Sequence, residues 1–299
     1  MWASVLAFIT QCTVILKDAL LALVLPADLF AGLAIIAKGL GPALAAAKRA
    51  IHETRVNISI YFLDSLIVSP ILIVLFALAT NFADKASLRL IDPHFWNNLP
   101  SILVAFFAVF VGDFVGYWRH RLEHTRFFWP SHAVHHSDTT MTWLALLRFH
   151  PINRLSTFII DSAVLILLGF PAYALVVYVA VKHYYGFFIH ADLPWSYGRL
   201  DNIFVSPIMH RWHHSNDPAA YQTNFATVFS IFDRVFGTYR VPGLPNTPLG
   251  VTFNMGNGVS GQLLHPFKPS AYRVPQDNLD KRLSASSSLR QSGISTTAQ

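Results

Sequence analysis

One cysteine, Cys12, is all the chain has in 299 residues, which excludes an internal disulfide framework and leaves cysteine silent about compartment. Charge is scarce as well. Asp, Glu, Lys and Arg supply 13% of residues, against about a quarter in soluble domains, which argues against a free-standing soluble protein. The start lacks the basic region and small-residue cleavage site of a secretory signal, so residues 1–25 are expected in the mature protein. No repeat of fixed period runs through the chain, and no fused haem or ferredoxin segment is recognisable. Apolar residues are what abounds: 53% of the chain is hydrophobic, the composition of a membrane protein. The 22 Lys and Arg exceed the 16 Asp and Glu to give +6, but they lie scattered beside apolar runs and form no stripe with stacking aromatics. Membrane headgroups account for that charge better than nucleic acid does, and no nucleic-acid partner is expected.

The apolar runs set the expected architecture. Two helices, about residues 2–25 and 28–47, should lie in or on the bilayer; the second ends in Lys48 and Arg49, and whether they cross is open. Residues 58–80 are long enough to span a hydrocarbon core at about 1.5 Å per residue, with a bend at Pro70. A polar connection, 81–98, leads to a second span, 99–118, so the two should form a hairpin. A third apolar stretch, 155–181, is interrupted by Gly169-Phe170-Pro171 and reads as one tilted span or two short ones folded back. Residues 221–240 have helical periodicity with aromatic anchors and are expected as an amphipathic helix. The chain then becomes rich in Pro and Gly, and 280–299 has too little apolar content to pack and should be disordered. Three regions result: N-terminal membrane-associated helices (1–57), a membrane and metal domain (58–245) and a C-terminal extension (246–299).

Histidine is the residue that stands out. HRLEHTRFFWPSHAVHH places His120, His124, His132, His135 and His136 within a short stretch, and HRWHH adds His210, His213 and His214. On helices, H-x-x-x-H and H-x-x-H-H each present their rings on one face. Eight imidazoles exceed what one tetrahedral ion needs but suit two metals with several nitrogen ligands each. A lone H-x-x-x-H is most often structural, but so many interleaved with Trp, Phe and Leu would be costly to bury without a shared partner. The expected site is therefore a binuclear metal centre, for which spacing alone leaves iron, zinc, copper and nickel open. That centre also decides the third apolar stretch: a single crossing would put the two histidine groups on opposite sides of the membrane, so the hairpin is expected. Lys48, Arg49, Arg55, Arg119, Arg121, Arg126, Arg148, Arg154 and Lys182 flank the metal face and point to a cytoplasmic orientation.

The order H-x-x-x-H, H-x-x-H-H, H-x-x-H-H between membrane hairpins resembles the fatty acid hydroxylase and sterol desaturase superfamily. The wording is similar too, in GDFVGYWRHRLEH, WPSHAVHHSDTTMTWLALLRFHP, MHRWHHSND and NFATVFSIFDRVFGTYR, over roughly residues 100–245. The resemblance implies an all-α integral membrane protein with transmembrane helical hairpins and a cytosolic helical histidine-box domain. It also implies two non-haem irons that use O2 to oxidise a C–H bond of a membrane lipid. Electrons would come from NAD(P)H through a separate electron-transfer protein. Hydroxylation is the first expectation, a desaturase with the same centre the near alternative, and a metal transporter or haem electron carrier remote ones. By the same resemblance His190, in FIHAD, is a further ligand; His183, two turns earlier on the same helix face, is a second-tier candidate, and Gly186, where relatives carry a histidine, leaves the ligand count open.

Several residues are expected around the metals. Asp113, seven before His120, falls on the same helix face, where its carboxylate could accept a hydrogen bond from a ligating ring. His150 in RFHP reads as a helix-end or supporting residue, and Asp138 and Asn224 as residues that orient ligands or substrate, or as helix caps. Arg121 and Glu123 face away from His120 and His124 and are expected to meet solvent or headgroups. His52, His94 and His265 have no partner spacing and read as ordinary polar residues.

Overall fold

The computed structural model describes residues 2–256 and 258–272; among these it is helical, with one isolated bridge from Ser215 to Leu249 and no strand. The expected disorder from about residue 280 lies outside the described residues. Val5–Lys38, Ile51–Lys85, Ser101–Glu123 and Ala172–His190 are long and apolar enough to cross a membrane. The protein is an all-α membrane protein, as its composition requires.

The N-terminal third departs from expectation in where its helices break. Helix α1 (Trp2–Lys38) runs straight through Pro26 and stops at Gly39, so the two expected helices, 2–25 and 28–47, have their boundary in the wrong place. Proline costs a helix one backbone hydrogen bond, but its φ suits the helix and the flanking turns are apolar. Gly39, at φ +84°, takes a backbone conformation that residues with a Cβ avoid. After α2 (Leu40–Arg49), α3 (Ile51–Leu63) passes through a π-helical turn (Asp64–Val68) into α4 (Ser69–Lys85). Pro70 falls in the first turn of α4, and the widened turn before it takes up the space the proline ring needs.

Helix α5 (Ser101–Glu123) ends in the first histidine pair, and α6 (Trp129–His136) carries the next three. The third apolar stretch is a hairpin: α7 (Pro151–Thr157), a π turn (Phe158–Ser162) and α8 (Ala163–Leu167), then α9 (Ala172–His190). Its turn needs glycine twice over, because Gly169 has φ +67° and a Cβ there would stand 2.3 Å from the Ile91 carbonyl oxygen. Helices α4 and α5, expected to pair with each other, both lie against α8.

Helix α9 packs along α5, and the approach is close: a Cβ at Gly112 would stand 2.3 Å from the Tyr178 ring. Both helices end in histidine, so folding the third stretch back lets them reach the same end of the bundle. There α10 (Pro207–His213) brings the last group.

The expected amphipathic helix over 221–240 is not formed. Only α11 (Ile231–Val235) is helical; residues 222–230 instead cross the histidines as a loop, with Gln222 and Asn224 at φ +60° and +59°. A second correction concerns charge. Arg119 pairs with Glu123 and Asp161, Arg148 with Glu53, Arg154 with Asp64 and Lys182 with Asp161, so these four cations are paired with the chain's own carboxylates. Lys48, Arg49, Arg55 and Arg126 remain exposed.

Candidate metal centre

Four helix ends deliver the rings. His120 lies in the last turn of α5 and His124 caps it; His132, His135 and His136 occupy α6; His190 is the last residue of α9; His210 and His213 lie in α10, with His214 as its cap. Helix C-termini carry partial negative charge, so their meeting here favours a cation. The rings form two groups. His120, His124, His132, His136 and His213 make one, and His135, His190, His210 and His214 the other; within each, one nitrogen per ring lies within 4.8 Å of all the others. The groups adjoin, with the His136 and His214 rings stacked at 4.4 Å between centroids. All nine are buried except His124, which is partly so.

The hydrogen bonds define what these nitrogens can do. His120 Nδ1 donates to the Phe225 carbonyl and His213 Nδ1 to the Thr223 carbonyl, each at 2.7 Å. A carbonyl only accepts, so in the neutral rings the proton sits on Nδ1 and Nε2 is a bare lone pair. Yet the two Nε2 atoms face each other at 3.0 Å, and His132 Nε2 stands 3.0 Å from that of His120. The second group repeats this. His190 Nδ1 donates to the Gly186 carbonyl at 2.7 Å, while its Nε2 faces those of His135 and His210 at 3.1 and 2.9 Å. The facing lone pairs of His120 and His213 repel, and a shared cation turns that repulsion into coordination. The separations match the edge of a coordination shell with metal–nitrogen bonds of about 2.1 Å. Burial also holds the rings neutral, the state that binds metal: it lowers His132 to about 4 and His213 to about 3, and pushes His135, His136, His210 and His214 well below their ordinary 6.5. The residues fit a pair of metal ions.

Residues 105–238, which contain all nine rings, match the fatty acid hydroxylase family. Over 177 residues, 58% of this chain and 54% of the relative, the sequence is 33% identical to an ornithine lipid hydroxylase from Rhizobium tropici. That segment belongs to the fatty acid hydroxylase family. The chain is also 31% identical over 162 residues to an alkylglycerol monooxygenase from Danio rerio, covering 54% of this chain and 35% of that one. Methylsterol monooxygenase 1-3 from Arabidopsis thaliana is 27% identical over 164 residues, 48% of this chain and 52% of that one. The matches thus span about half, or less, of these relatives' lengths. No solved structure matches the chain.

In this fatty acid hydroxylase relative, Asp113 reaches the site indirectly. It was expected to accept from a ring; its carboxylate accepts instead from the backbone N–H groups of Thr227, Val228 and Phe229, at 2.7 to 3.2 Å. Asp233 does the same for Phe225 (2.7 Å) and Ala226 (2.9 Å), and Asn224 bonds the backbone of Met209 and Arg240. These three side chains hold in place the loop whose carbonyls orient His120 and His213. Asp138 accepts from Thr140 and Met141 N–H and from Asn57 Nδ2, the last at 2.8 Å. His150 caps α7, accepting from Ile152 N–H, while its Nε2 meets the Leu263 carbonyl. His183 joins neither group and packs on Phe187, with 4.4 Å between ring centroids. His52, His94 and His265 also lie outside both groups.

Sequence reasoning missed two supports. Arg148, fully buried, bridges Asn57, Ser137 and Glu53, tying α3 to the second histidine segment. Glu123, expected in solvent, is 1% exposed and bonded to Arg119 (2.6 Å) and Ser156 (2.7 Å). Glu123 lies off the His120 and His124 face of α5, but α6 and α7 pack there, so its carboxylate meets His132 and Ser156 in place of water. Arg121 lies partly buried, its guanidinium 5.0 Å from the Trp118 ring centre.

Proposed function

We propose that the protein is an O2-dependent hydroxylase or monooxygenase of a membrane lipid, working through two irons held by His120, His124, His132, His136 and His213 and by His135, His190, His210 and His214. The observation that carries this reading is that His120, His213 and His190 are anchored on backbone carbonyls through Nδ1, while the Nε2 of each lies about 3 Å from the Nε2 of a neighbouring ring. When bound, the iron pair supplies the O2 activation and oxidising power that an unactivated C–H bond requires; zinc, which is redox-silent, would not. The chain's own part is to present neutral donors, fix their tautomers through backbone carbonyls and keep bulk water from the centre by burial. Electrons come from NAD(P)H through a separate carrier protein. The metal face is cytoplasmic, in keeping with exposed Lys48, Arg49, Arg55 and Arg126.

That the relatives include an ornithine lipid hydroxylase and alkylglycerol and methylsterol monooxygenases favours insertion of oxygen over loss of hydrogens. Cells with and without the protein, grown under 18O2, provide the test. A lipid that gains one labelled oxygen in its presence is expected; a lipid that loses two hydrogens with no label would mark a desaturase instead, and an unchanged lipid profile would refute both.

A further inference from the structure

The outer nitrogens of the nine rings do not have equal partners. In the first group, His120 and His213 rest on carbonyls, but the Nδ1 of His132 faces a carboxylate, with Glu123 Oε2 3.4 Å away. Glu123 accepts hydrogen bonds from Arg119 and Ser156. Arg119 divides its own charge between Glu123 and Asp161 (2.8 Å), and Asp161 is shared in turn with Lys182 and Tyr178. This buried set of two anions and two cations thus leaves one carboxylate edge turned toward the metal-side ring. In the second group no described carboxylate comes within ion-pair distance of His135, His190, His210 or His214. His190 rests on the Gly186 carbonyl, and the Nδ1 atoms of His210 and His214 are buried with no hydrogen-bond partner; the Nδ1 of His132 makes no hydrogen bond either, but differs from them in having Glu123 within ion-pair distance.

Given the reading of these histidines as ligands, we propose that the two metal positions are unequal. The five-histidine position fills first and holds its ion more tightly, and Glu123, a positioning residue behind His132, is the main cause. An anion behind an imidazole makes its far nitrogen a stronger donor and shares the charge of the bound cation, which a neutral carbonyl does less well. The fifth ring adds to the same preference. The second position, with fewer rings and no anion behind them, is the one that loses its ion first.

Titrating the metal-free full-length protein in lipid nanodiscs with Co2+, followed by calorimetry and by the visible absorption of the bound ion, tests this. Two resolved steps are expected. Glu123→Gln should weaken the first by about 10- to 100-fold and leave the second in place, whereas Glu123→Asp, which keeps the anion, should restore most of the loss. Two equal sites, or a Glu123→Gln variant that weakens both steps alike or neither, would overturn the proposal while leaving the two-metal reading standing. Failure to bind two ions at all would count against that reading itself. Should the variants not fold, the wild-type protein loaded with one equivalent of Co2+ decides by anomalous scattering: the ion belongs at His120, His124, His132, His136 and His213, and equal occupancy of both groups would refute the order.

Discussion

A buried imidazole is useful to a metal only while it is neutral, and here burial provides that. Unfolded histidines titrate near 6.5, whereas His132 and His213 in the fold do so near 4 and 3. Between those values the unfolded chain binds more protons, so lowering the pH favours unfolding. The unfolding temperature of the metal-free protein should therefore fall as pH drops from about 6.5 toward 4 and stay level above 7. A flat profile across the acid range would mean that the rings are solvated in the native state. The same rings show how far residue identity carries. H-x-x-x-H and H-x-x-H-H disclose which nitrogens share a helix face, because that follows from 3.6 residues per turn. They do not disclose which nitrogen carries the proton. That depends on the carbonyls of Thr223 and Phe225, backbone atoms with no signature in side-chain spacing.

At the scale of elements, the site depends on a loop and a hairpin. Loop 222–230 has aromatic residues at helical spacing, yet its N–H groups bond Asp113 and Asp233 in place of a helix's own carbonyls. Those acids are the signal a sequence reader could use: two carboxylates amid apolar residues need several donors, and a loop offers consecutive free N–H groups where a helix interior does not. Asp113→Asn halves the acceptor capacity under Thr227, Val228 and Phe229. A loss of about 1–3 kcal/mol is expected, together with weaker metal retention as the carbonyl behind His120 shifts. Thermal unfolding and metal dialysis measure the two effects, and a variant as stable as wild type would show that the loop is held by its aromatic packing alone. The hairpin, by contrast, is legible, because Gly169-Phe170-Pro171 breaks an apolar run that a shared centre forbids from crossing once. Helix α1 is the reverse case: Pro26 suggests a break that the helix ignores, and Gly39 supplies it.

For the whole molecule, α5 and α9 run side by side toward one end, and every ring of the centre is gathered there. The proposed cytoplasmic orientation rests on fewer cations than composition suggests, since Arg119, Arg148, Arg154 and Lys182 pair with buried or half-buried carboxylates. Burial of a cation cannot be read from one chain without knowing which acids it meets. With Cys12→Ser as background, a cysteine at exposed Arg126 should react with a membrane-impermeant maleimide only in inverted vesicles; labelling from outside intact cells would reverse the topology. Metal content bears most directly on the central claim that nine converging histidines hold two irons. Protein purified from iron-supplied cells should contain close to two irons per chain and show no haem absorption. His135→Ala and His213→Ala should each lower that content and abolish turnover while still inserting into the membrane. Zinc in place of iron, less than one metal per chain in the wild type, or full iron content in both variants would contradict it.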